Sequence, residues 1–149
     1  MSPLYHRSLE TFERIGDQAG MSASYHQLGI LAQLRGDYDT AKPLYHRALE
    51  IFKRIGDQAG IATSYAVLGG LSEALGNLDQ AVAYRVDALA IRLQIGTASA
   101  ADVQPLTGLR RRLGRDRFRS AAIASGLNEE SAANLMKMLD QQQEDTAGH

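Results

Sequence analysis

The sequence predicts an all-α fold, an α-solenoid of antiparallel helix pairs with about seven helices, and three observations lead there. Thirteen of the sixteen residues in Tyr5–Gly20 (YHRSLETFERIGDQAG) recur forty positions later in Tyr45–Gly60 (YHRALEIFKRIGDQAG). A fixed period of this length marks supersecondary units that bury their apolar faces against neighbours rather than within themselves. Glycines at 16, 36, 56, 76 and 96 punctuate the chain at regular spacing. With only 3 prolines and abundant Ala, Leu, Gln and Arg, the stretches between them favour helix over strand.

The punctuation places each element in turn. Gly16, Gly56 and Gly96 each follow an apolar-periodic stretch, where glycine can take the left-handed conformation that ends a helix. Asp17 and Asp57 come next and can accept the free N–H groups opening the following helix. Gly36-Asp37 and Gly76-Asn77 repeat this stop and start. Helices are therefore predicted at 3–15, 17–35, 37–55, 57–75 and 77–95, with turns short enough to force antiparallel neighbours. Pro43 lies inside the third helix, where it removes a backbone donor and is expected to kink it. Ala83 takes its place one period on.

Each helix carries an apolar face. Met21, Tyr25, Leu28 and Ala32 form one stripe; Ile61, Tyr65, Leu68, Leu71 and Leu75 form the equivalent one. Ala41, Leu44, Tyr45, Ala48, Leu49, Phe52 and Ile55 form a wider stripe, as expected of a helix touching both its own partner and the next pair. Gly29/Gly69 and Ala41/Ala81 are small where helix axes must approach to about 8–10 Å.

After Gly96 the period breaks. Thr97–Asp102 reads as a small-residue linker and Pro105 suits a helix start. Helices are expected at 102–113 and 116–125, and Asn128-Glu129-Glu130 opens a last one carrying Leu135, Met138 and Leu139. The expected organisation is an orphan second helix (3–15), a first pair (17–55), a second pair (57–95), a shortened pair (102–125), a capping helix (128–142) and a frayed tail (143–149). Terminal units of arrays are atypical because their outer face meets water.

The spacing of Tyr25, Leu28, Gly29, Ala41, Tyr45 and Ala48, repeated at Tyr65, Leu68, Gly69, Ala81 and Ala88, resembles the tetratricopeptide repeat. The forty-residue period is similar to the longer-helix variety of kinesin light chains and of bacterial signalling arrays. Two positions depart from the pattern: Ala32 and Ser72 replace a large residue, and Arg85 replaces the aromatic found at Tyr45. The resemblance covers roughly residues 3–100. It implies a right-handed superhelix whose concave groove is lined by the first helix of each pair. Carried over by position, the groove residues are Ala23, His26, Gln27, Ile30 and Gln33, then Thr63, Ala66, Val67, Gly70 and Glu73. The family's clamp for a terminal carboxylate needs several cationic or amide donors at such places, and none of these residues is Lys, Arg or Asn. The groove is therefore expected to hold an extended segment or an amphipathic helix of a protein partner by apolar contacts and a few hydrogen bonds.

Other features carry competing readings. Arg110, Arg111, Arg112, Arg115, Arg117 and Arg119 form a dense cationic run. It reads as an anion-binding site, or as a solvated face partly neutralised by Glu129, Glu130, Asp140, Glu144 and Asp145. Aromatic interleaving for base stacking is absent apart from Phe118, so nucleic acid is not expected. The first helix matches a second helix without its partner. This suggests either the C-terminal piece of a longer array or a homodimer through Tyr5, Ser8, Leu9 and Phe12.

Composition excludes several classes. With 0 cysteines there is neither a disulfide frame nor a thiolate metal site, and a net charge of −1 gives no general pull toward polyanions. No leader pattern or long apolar run is present, so a cytoplasmic protein without membrane contact is expected. His6 and His46 stand one repeat apart, about 10 Å, too far to share an ion with bonds of about 2 Å. His26 falls on the groove face and His149 in the tail. No nucleophile–base set, phosphate loop or dinucleotide fingerprint appears, so no enzyme, cofactor or metal is expected. The alternative to a free scaffold is the regulatory C-terminal segment of a larger signalling NTPase or transcriptional regulator, its arginine run contacting an anionic partner.

Overall fold

The structure, a computed structural model, describes the backbone of residues 3–147 and the side chains of residues 4, 6–14 and 16–142. Its helices are α1 (Pro3–Ile15), α2 (Gln18–Leu34), α3 (Tyr38–Ile55), α4 (Gln58–Ala74), α5 (Leu78–Ile95), α6 (Ala100–Leu113), α7 (Arg115–Ala124) and α8 (Glu129–Ala147). Among the described residues there are eight helices and no strand, one helix more than the expected total of about seven. Each of the eight corresponds to one of the expected spans, with three after Gly96.

The turn chemistry is visible atom by atom. Gly56 has φ 72°, a left-handed conformation that a side chain would strain. This lets the Asp57 N–H reach back to the Phe52 carbonyl at 2.9 Å and close α3. The Asp57 carboxylate then accepts the Gly60 N–H at 3.0 Å and opens α4. Asp17 does the same between α1 and α2, with its carboxylate 2.9 Å from the Gly20 N–H. Each such cap stabilises its helix by about 1 kcal/mol. Asn77 holds the equivalent place before α5 but makes no side-chain cap bond.

The same block explains its own last glycine. The Phe12 ring lies on the α2 backbone so closely that a Cβ on Gly20 would stand 2.5 Å from it, and Phe52 lies on Gly60 in the same way. Phe and Gly therefore recur together. Turn, cap and ring form one packing unit.

Successive helices pack as a stack. The α2–α3 and α4–α5 hairpins have the most extensive internal contacts, and α3 packs on α4 between them. Tyr45, Leu49, Leu68 and Leu71 share one core cluster with half-buried Ile30 and Val67. The helix α3 runs unbroken through Pro43.

The C-terminal part differs from expectation in three respects. First, α6 begins at Ala100 because Ser99 precedes it as cap, its N–H donating to Asp102 at 3.0 Å; Pro105 therefore lies inside the helix and not in its first turn. Second, α7 packs more on α5 than on α6, unlike the two full hairpins. The single linking residue, Gly114, has φ 85° and ψ 161° and not the left-handed helical values of the other turns. Third, α8 continues through Ala147 where a tail from 143 was expected, since no glycine or proline interrupts Glu129–Ala147. Its Leu135, Met136 and Leu139 close the core with Leu106, Leu109 and Phe118. An open apolar cleft of about 350 Å³ remains between Leu93 of α5 and Met138 of α8.

Candidate functional site

In each full hairpin, one long side chain of the second helix crosses a glycine of the first and ends on its far face. Tyr45 of α3 lies against Gly29, where a Cβ would stand 2.6 Å from the ring. Its hydroxyl donates to Gln33 Oε1 at 2.5 Å. One period on, the Arg85 stem lies against Gly69, and its Nη2 reaches Glu73 Oε2 at 3.6 Å. Tyr/Gln has become Arg/Glu, so donor and acceptor changed together. The crossing itself needs a residue without Cβ, which accounts for both glycines.

The ten groove positions fall on α2 and α4. Ala23 and Gln27 are exposed, and His26, Ile30, Gln33, Thr63, Ala66, Val67, Gly70 and Glu73 are half-buried. His26 stacks at a tilt on Tyr45, with ring centroids 5.9 Å apart, and burial lowers its pKa from the ordinary histidine value. Its Nδ1 is buried without a hydrogen-bond partner among the described residues. Thr63 accepts from Arg92 Nη2 at 3.4 Å, and Arg92 also pairs closely with the buried Asp102 at the start of α6. Burial pushes the Tyr45 hydroxyl up to about 12.

The arginine run does not converge on one point. Gly114 divides it between α6 and α7, and four of the six residues pair internally. Arg110 and Arg115 both reach Asp140 of α8, the latter at 3.7 Å. Arg117 forks onto Asp79 of α5 with Nε and Nη2 each 3.1 Å from a carboxylate oxygen. Arg112 meets Glu73 of α4 at 3.5 Å. Arg111 and Arg119 are exposed and have no ion pair among the described residues. The run ties α6 and α7 to the rest of the array.

At the N-terminal end, Leu9 and Phe12 turn toward α2 and are half-buried, Leu9 packing against the cluster of Tyr25 and Ala48. The exposed apolar residue there is Leu4. The side chain of Tyr5 lies outside the described residues, as does His149. His6 is exposed, while His46 lies beside Tyr84 with centroids 6.5 Å apart. Among the described residues no group of three or more His, Asp or Glu could hold a metal ion, and no helix is long and apolar enough to cross a membrane.

The tetratricopeptide-repeat family model matches residues 20–94, which spans both full hairpins. The chain belongs to the tetratricopeptide-repeat family. Among solved structures it is similar to the crystal structure of BtubC (BKLC) from P. vanneervenii, with a TM-score of 0.65 and 23% identity. That similarity covers 91% of this chain and 55% of the other, so the chain spans about half the length of that protein. At this identity the likeness concerns the fold. A comparison with curated proteins finds no match. Tetratricopeptide repeats are in general non-catalytic protein-interaction modules, and this array is an interaction scaffold in that general sense.

Sequence reasoning missed the Arg85–Glu73–Arg112 group. Arg85 stood out only as a departure from the repeat, and Arg112 only as part of a run. The signal was present in the paired exchange: where Tyr45 becomes Arg85, Gln33 becomes Glu73.

Proposed function

We propose that this array is a non-catalytic scaffold that holds an extended segment or a helix of a partner protein along the exposed face of α2 and α4. The observation that carries the reading is the fixing of that face from behind. Tyr45 and Arg85 cross their glycines to anchor Gln33 and Glu73, while Ala23 and Gln27 stay exposed and Gly70, Ala66 and Val67 offer a shallow, small-residue floor. A face whose side chains are ordered before binding loses less entropy on binding. The caps at Asp17 and Asp57 hold the two helices at their starts.

The internal pairing of Arg110, Arg115 and Arg117 with Asp140 and Asp79 supports a structural role for that part of the arginine run over an anionic docking site within a larger signalling protein. Likewise, the half-burial of Leu9 and Phe12 on α2 weighs against a homodimer through those residues.

The test is partner capture with the exposed groove residues altered. Ala23→Glu with Gln27→Arg changes the groove without touching the core, and Glu50→Arg with Arg54→Glu alters exposed positions on α3. Loss of bound proteins in the first variant and their retention in the second is expected. The reverse pattern would place the binding surface on the second helices.

A further inference from the structure

Two guanidinium groups from different helices meet a single carboxylate on the groove face. Arg85 of α5 and Arg112 of α6 approach the two oxygens of Glu73 on α4 at 3.6 and 3.5 Å. These are longer than the roughly 2.7–2.9 Å of well-formed charge-assisted bonds. Neither arginine is satisfied by the contact. Arg85 Nε is buried without a hydrogen-bond partner among the described residues, and the Arg112 side chain is 55% exposed. The other charged pair nearby, Arg92 with Asp102, is balanced within itself. The group therefore carries two cations against one anion, beside the shallow floor at Gly70, where Arg85 Nη2 would lie 3.4 Å from a Cβ.

We infer that Arg85 and Arg112 form a recognition site for a carboxylate of the bound segment, and that Glu73 is a built-in competitor occupying it in the free protein. This inference rests on the groove reading above and names the chemistry of the segment: acidic at the point that lies over α4 and α6. Arg112 offers the accessible fork, and Arg85, held across Gly69, supplies a fixed positive charge behind it. A partner carboxylate completes the donors that Glu73 leaves half-used. Arginine suits this role because its planar fork matches a carboxylate and keeps its charge when partly buried. The first hairpin has no counterpart, since Tyr45 and Gln33 stand in the equivalent places and form a neutral, closed hydrogen bond. That asymmetry sets a direction, with the acidic end of the segment toward the second hairpin.

The experiment measures fluorescence anisotropy of labelled peptides added to the full chain. The probes are a short peptide alternating leucine and glutamate, and its leucine–glutamine counterpart. Each is made with a free and an amidated C-terminus, so that side-chain and terminal carboxylates are told apart. The proteins are the natural chain, Arg112→Gln and Glu73→Gln. Gln33 already occupies the position equivalent to 73, so the last variant introduces a residue the fold accommodates. The glutamate peptide is expected to bind, and both its glutamine counterpart and Arg112→Gln to lose affinity by about tenfold, a typical value of one charge-assisted contact. Glu73→Gln is expected to tighten binding of the acidic peptide and to leave binding of its glutamine counterpart unchanged. Equal binding of the glutamate and glutamine peptides, with no gain in Glu73→Gln, would overturn the acidic site and leave the groove standing. Binding of neither peptide to any of the three proteins would overturn the groove reading and this inference together.

Discussion

The Tyr45 hydroxyl donates to Gln33 at 2.5 Å after crossing Gly29, so a residue of the second helix fixes a residue on the outer face of the first. One period on, Arg85 crosses Gly69 to Glu73 with the donor still on the second helix and a charged pair in place of the neutral one. The crossing is therefore the repeated device, and the chemistry at its tip is free to vary. Tyr45→Phe keeps the ring on Gly29 and removes only the tip. It is expected to cost about 1 kcal/mol, the net value of a typical hydrogen bond. Urea titration of the two proteins measures it.

Glycines in these helices separate into two kinds. A methyl group at Gly60 meets the Phe52 ring, whereas one at Gly108 in α6 meets nothing within 4 Å. Gly60→Ala is expected to destabilise by about 1–3 kcal/mol through overpacking. Gly108→Ala is expected to stabilise by up to about 1 kcal/mol through helix propensity and lost unfolded-state entropy. Opposite shifts in melting temperature confirm the assignment, and equal shifts contradict it.

Asp102 is buried at the first turn of α6, accepting the Ser99 N–H at 3.0 Å and pairing with Arg92. Removing it leaves Arg92 without its close carboxylate and the Ser99 N–H without its acceptor. Asp102→Ala is expected to cost about 3 kcal/mol, as for breaking a buried pair. Denaturant unfolding followed by circular dichroism reads this directly; a loss below about 1 kcal/mol would assign the contact to an exposed pair.

Burial pushes the Asp87 carboxyl up to about 6, only partly opposed by Lys53. Its folded pKa thus lies above its unfolded value, so the protonated form favours the fold. That contribution is fully present below the unfolded pKa near 3.8 and is lost as pH rises through about 6. Asp87→Asn is therefore expected to raise the melting temperature at pH 7.5 and to have no such effect at pH 3.5. A carboxyl resonance of Asp87 titrating near 4 would contradict it.

Periodicity made the two full hairpins legible because local chemistry determines them. Gly56 ends a helix, Asp57 starts the next, and each acts through atoms within a few residues of itself. Arg112 with Glu73 and Arg117 with Asp79 could not be read this way, since both depend on which helices beyond the repeat become neighbours. The arginine run looked like one surface because its residues are close in sequence, yet Arg110 and Arg115 reach Asp140, Arg112 reaches Glu73 and Arg117 reaches Asp79. Leu9 packs toward Tyr25 and Phe12 lies on Gly20, so α2 supplies the cover that these two half-buried residues have.

The central claim is that the partner lies on the outer face of α2 and α4. Site-specific photocrosslinking tests it most directly, with a benzophenone side chain placed at Gln27 on that face or at exposed Glu50 on α3. Adducts to one defined partner segment from Gln27, and none from Glu50, are predicted. Adducts from Glu50 with none from Gln27 would contradict the account.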